Sequence, residues 1–210
     1  MRALAALLAL PWALVLAVPA SAAEPEKHGA CWRGKPAPEC QGFVITDFGL
    51  LRRLDEDPTG GIDDFHVSLD VGYARNVSPK AAVGGTIYLG TGSDHARVGV
   101  RGRYRRWLSR DWAVDASPGL VIYGSEDNGY EFQAPGIIVG VTIGWKDLVG
   151  LTVEGEHSRY EDPIHNPDQP ATLSDTTWRT GLKLGAAPGV LGTLAIVTLV
   201  VLVVASGAAD

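Results

Sequence analysis

The stretch Ala96–Leu108, ARVGVRGRYRRWL, constrains the fold more than any other part of the chain. Successive side chains of a β-strand point to opposite sides. At that period Ala96, Val98, Val100, Gly102 and Tyr104 share one face, and Arg97, Gly99, Arg101, Arg103 and Arg105 share the other. The segment reads as a strand with one apolar face and one face crowded with guanidinium groups.

Seven further segments read as strands. With the first they are Phe43–Arg52, Phe65–Asn76, Ala81–Gly90, Ala96–Leu108, Trp112–Tyr123, Gly136–Trp145, Val149–Tyr160 and Thr177–Gly185. β-Branched and aromatic residues dominate these runs, and no amphipathic helix interrupts them. The first is the least regular, because Gly49-Leu50-Leu51-Arg52 breaks the alternation. Elsewhere each strand has a polar face. These faces carry His66, Ser68 and Asp70; Thr86 and Tyr88; Asp115 and Ser117; Thr142; Thr152, Glu154 and Glu156; and Arg179 and Lys183. The opposite faces carry Val67, Leu69 and Val71; Ile87 and Leu89; Leu120 and Ile122; Val139, Val141 and Ile143; Leu151 and Val153; and Trp178 and Leu182.

The connections alternate in length. Val77–Lys80, Ser109–Asp111 and Lys146–Leu148 are short; Leu54–Asp64, Gly124–Pro135 and Glu161–Asp175 are long and acidic, and Thr91–His95 is intermediate. Trp107, Trp112 and Trp145 flank short turns, where the aromatic girdle of a membrane interface would fall. The fold class expected is all-β: an antiparallel up-and-down barrel of about eight strands over residues 42–186.

Both ends of the chain carry apolar runs. Arg2, the apolar core Ala3–Val18 and Ala20-Ser21-Ala22 read as a secretory signal peptide over residues 1–22. Export favours a disulfide between Cys31 and Cys40, inside an N-terminal segment of residues 23–41. No second Cys/His pair accompanies them, so no metal site is expected. Val190–Ala205 has neither charge nor alternation and reads as a transmembrane helix over residues 188–207. The formal net charge of −6 argues against nucleic-acid binding.

Strand count, alternation, loop asymmetry and girdle together resemble the small eight-stranded outer-membrane barrels, the OmpA/OmpX-like β-barrel domains, over about Gly42–Gly185. The resemblance implies a lumen filled by side chains and a bacterial outer-membrane location. Arg97, Arg101, Arg103, Arg105, Arg179 and Lys183 would then pair with Asp70, Asp115, Glu154 and Glu156 inside, since unpaired buried charges are costly. Gly99, Gly140 and Gly144 would make room for the long side chains. Alternation does not say which face is inside. A soluble periplasmic barrel or sandwich, tethered to the inner membrane by the C-terminal helix, would reverse the faces and act as a binding module.

The expected role is structural or binding, without cofactor and without catalytic residues. Membrane lipids are the expected partners, with a ligand or protein at the long acidic loops. Some outer-membrane barrels are lipid A deacylases with a His/Ser/acid set, and His66, Ser68 and Asp70 share a face. Alternate residues of one strand lie about 7 Å apart, however, too far for Ser–His contact.

Overall fold

The structure is a computed structural model that describes residues 30–54, 65–93, 95–126, 130–162, 171–192, 194 and 198. The proposed signal peptide, most of the long loops and much of Val190–Ala205 lie outside the described residues.

Nine strands form one sheet in chain order: β1 (Ala30–Cys31), β2 (Gly42–Arg53), β3 (Phe65–Ser78), β4 (Ala81–Thr91), β5 (His95–Trp107), β6 (Trp112–Glu126), β7 (Glu131–Trp145), β8 (Val149–Asp162) and β9 (Ala171–Leu184). Every neighbour from β2 to β9 is antiparallel, and β2 also pairs with β9. The sheet is thus a closed eight-strand barrel, with β1 added in parallel at the start of β2. Closure pairs most of the edge that would otherwise recruit other strands, leaving Val44–Asp47 without a strand partner on the β9 side among the described residues.

The connections 79–80, 108–111 and 146–148 lie at one end, the short-turn end; the connections 54–64, 92–94, 127–130 and 163–170 lie at the other, where only the first and last are long. The strands run further toward the longer end than the local pattern indicated, because cross-strand pairing continues through Glu131–Gln133 and Ala171–Thr176. Register shifts at Val98/Gly99 and Gln133/Ile137 accommodate the extra residues there. β2 is paired on both sides in spite of its broken alternation.

The arginine face is inside. Arg97, Arg101, Arg103 and Arg105 are buried, while Val100 and Tyr104 of the same strand are 46% and 44% exposed. The same division holds around the ring, with Leu50, Ile87, Leu120, Val139, Val141, Leu151, Val153 and Leu182 on the outer wall. This overturns the inside-out expectation, which required the apolar face to be enclosed.

A helix, α1, begins at Ala186 and is described continuously through residue 192. The left-handed backbone of Ala186 (φ 48°) reverses the chain on leaving β9, and Pro188 stands in the first turn, where its missing N–H costs nothing. Among the described residues no helix is long and apolar enough to cross a membrane.

The candidate functional site in the barrel lumen

The arginine ladder of β5 organises the lumen into three tiers. At the long-loop end, Arg97 Nε lies 2.8 Å from Glu156 Oε1, and Arg179 Nη1 lies 2.9 Å from Glu156 Oε2. Arg97 also pairs with Glu126 and donates to the Tyr160 hydroxyl at 2.9 Å. In the middle, Arg101 Nη1 lies 2.8 Å from Glu154 Oε2 and 3.4 Å from Asp70 Oδ2. Lys183 Nζ approaches the same Asp70 oxygen at 3.2 Å, while Thr86 donates to its other oxygen at 3.1 Å. At the short-turn end, Arg103 pairs with Asp47. Arg105 forks onto both oxygens of Asp115 at 2.7 Å, and its Nη1 reaches Asp147 Oδ1 at 2.6 Å.

All ten charged residues singled out from the sequence therefore face the lumen and touch an opposite charge. An isolated buried ion costs several kcal/mol, so pairing decides whether such an interior is tolerable. Aromatic faces add to it: the Arg101 guanidinium sits 3.8 Å from the centre of the Tyr88 ring, and Arg105 stands over Phe43 and Trp107.

Asp47, Glu126 and Asp147 escaped the sequence reading. Asp47 lay in the irregular first strand, and the other two lay in segments read as loop or turn. Period two would have found Asp47, because Phe43, Ile45, Asp47, Gly49 and Leu51 are all buried on one face. Phe43 and Ile45 of that set belong to a plug at the short-turn end, where they pack with Ala74, Ala82, Trp107 and Ala113.

Trp107 is thereby corrected. It is 7% exposed, its Nε1 donates to Asn76 Oδ1 at 3.1 Å, and its ring meets Phe43 edge-on. Two residues beyond Arg105, it keeps the arginine parity, which outranks its nearness to a turn. Trp112 and Trp145 do stand on the outer wall, 45% and 40% exposed. Tyr73 and Tyr104 accompany them toward the short-turn end, and Phe65 and Tyr123 are exposed toward the other.

The glycines divide similarly. A Cβ on Gly140 would lie 2.6 Å from Ser117 Oγ and within 4 Å of both Glu154 Oε2 and Arg101 Nη1, so this glycine makes room for the central pair. Gly99 serves a different need: a Cβ there would meet the Leu120 carbonyl oxygen at 2.4 Å, a close backbone approach at the β5–β6 bulge.

His66 and Ser68 are buried on the lumen side. The His66 ring nitrogens contact His95 Nε2 at 3.1 Å and the Tyr88 hydroxyl at 2.8 Å. Neither contact reaches Ser68, whose hydroxyl has no hydrogen-bond partner among the described residues. No group of three or more metal-ligating side chains converges among the described residues. A cavity of about 20 Å³, room for one water, opens beside Asp47, Asp115 and Asp147.

The N-terminal segment covers the short-turn end. Cys31 and Cys40 form a disulfide with Cα atoms 5.9 Å apart. The Gly34 N–H donates to Asp147 Oδ2 at 2.8 Å, so Asp147 links this segment to Arg105. Asn76 Nδ2 donates to the carbonyl oxygens of Lys35 and Cys40. Glu39 meets Lys35 at 3.1 Å and Arg110 at 3.1 Å; the Lys35 ammonium, with help from Arg110, holds its carboxyl below the ordinary value.

Neither a family model nor a curated protein matches the chain. A solved structure described as "De novo design of transmembrane beta-barrels" is similar at 14% identity, covering 73% of this chain and 98% of that one, with a TM-score of 0.39.

Proposed function

We propose that this chain is a bacterial outer-membrane β-barrel with a structural or binding role, its lumen closed by paired charges. One observation carries the reading: the large apolar side chains form an outward belt around the ring while eleven charged residues are enclosed. In water that arrangement exposes apolar surface far beyond single scattered residues and buries ions at a cost. In a bilayer the belt meets hydrocarbon, and the pairing of β2 with β9 closes the ring of strands. Strands of 11–15 residues are long enough, since a tilted membrane strand needs about 9–11.

In this reading the short turns face the periplasm and the longer connections face outward. The acidic loops, with Asp55, Glu56, Asp57, Asp63 and Asp64, offer the surface for a ligand or protein. The role is binding or structural rather than catalytic, which fits the occupation of both His66 nitrogens by His95 and Tyr88.

Envelope fractionation, combined with gel mobility before and after heating, tests the reading. Outer-membrane recovery with a heat-shifted band is expected. Recovery with the inner membrane, together with a water-soluble domain once residues 188–210 are deleted, would overturn it.

A further inference from the structure

The barrel seam is incomplete as a ladder. β9 pairs with β2 only from Phe48 to Arg53, and β1 pairs with it only at Gly42 and Phe43. Between them, Val44–Asp47 have no strand partner on that side among the described residues. An open stretch of edge is poorly tolerated in hydrocarbon.

Helix α1 sits at that gap. The Thr46 hydroxyl donates to the Ala186 carbonyl oxygen at 3.1 Å. A Cβ on Gly189 would fall 2.0 Å from the Thr46 carbonyl oxygen, and one on Gly192 would fall 3.0 Å from the Phe48 ring. The two glycines therefore let the helix lie directly on the wall. Thr46 alternates with inward Ile45 and Asp47 and so points outward, yet it is only 8% exposed. Contact passes from Thr46 to Phe48 as the helix advances, so α1 climbs the outer wall in the direction of β2. Its other side is open, with Leu191 66% exposed and Leu194 38% exposed. Thr198 turns its hydroxyl back to the Leu194 carbonyl oxygen at 2.8 Å, which satisfies it within the helix. No charge occurs between Gly185 and Gly207.

We infer that α1 lies in the same bilayer as the barrel and seals the β2–β9 seam from outside, with its free side toward lipid. The inference rests on the membrane reading above. It assigns the described start of the apolar C-terminal run a place on its own barrel instead of in a second membrane.

Cysteine pairing in the full-length protein, in isolated envelopes, tests this. In the double variant Phe48→Cys/Gly192→Cys the two thiols replace a ring and a hydrogen already in contact, and the native cysteines are consumed in their own disulfide. Mild oxidation should yield a peptide linking positions 48 and 192 and leave at least fivefold less maleimide-reactive thiol than in either single variant. Phe48→Cys/Leu191→Cys should not link, because Leu191 faces away. In the heat-shifted outer-membrane protein, absence of the 48–192 link would overturn the seal. A link in protein recovered outside the outer membrane would instead overturn the membrane reading. A second variant, Gly189→Leu, should lower the temperature at which the folded band is lost; no change from wild type would also count against the seal.

Discussion

Asp70 shows how an interior of this kind holds together. One carboxylate, fully buried, meets Lys183 at 3.2 Å, Arg101 at 3.4 Å and Arg103 at 3.7 Å, and accepts a hydrogen bond from Thr86. Three cations on β5 and β9 thus converge on a side chain of β3. Removing the carboxylate leaves those cations enclosed with less compensation. Asp70→Ala should cost about 3–5 kcal/mol, the usual loss on breaking a buried pair. Replacing the pair by apolar groups is a different matter, because it removes the desolvation of two ions together. Asp70→Leu/Lys183→Met should therefore be more stable than Asp70→Ala. Urea unfolding in lipid vesicles, followed by the heat-shifted band, measures both; a loss in the double variant equal to the summed losses of Asp70→Leu and Lys183→Met would show that the two residues act independently.

Each strand of the barrel solves two problems at once, and β7 shows the division clearly. Ile137, Val139, Val141 and Ile143 face out, while Ile138, Gly140 and Thr142 face in. An arginine at an outward position should depend on depth. Val139→Arg, in the middle of the belt, is expected to cost about 2–4 kcal/mol in a bilayer, and Trp145→Arg, beside the short turn, about 0–1 kcal/mol. Similar small costs at both positions, from unfolding in vesicles of one lipid composition, would argue that the belt does not meet hydrocarbon. Strands such as β5 and β8 were legible in the sequence because charge and apolar character alternate without a break. β2 was less so, since its inward set passes from Phe43 and Ile45 to Asp47 and then to Leu51 as the lumen changes from apolar plug to charged ladder. The ends of β7 and β9 were not legible as strand. Glu131–Gln133 and Ala171–Thr176 lack local alternation, and pairing with β8 makes them strand. Trp107 shows the hazard of a positional cue: its parity pointed inward, and its place beside a turn pointed the other way.

At the scale of the molecule, the barrel is finished by segments outside its ladder. The helix covers part of the seam, and the disulfide segment covers the short-turn end. That segment is tied down at separated points, through Asp147 to β7–β8, through Asn76 to β3 and through Arg110 to the β5–β6 turn. The same Asp147 holds Arg105, so the cap and the lowest tier of the ladder share one carboxylate. The disulfide shortens the loop between Cys31 and Cys40 before folding and lowers the entropy lost when the cap docks. For a loop this short the effect should be about 2–3 kcal/mol. Cys31→Ser/Cys40→Ser should therefore lose its folded band at a lower temperature than wild type. A thiol reductant should bring wild type down to that level while leaving the variant unchanged. Wild type that keeps its stability when mass spectrometry shows both cysteines reduced would mean that Asp147, Asn76 and Arg110 hold the cap without the covalent link.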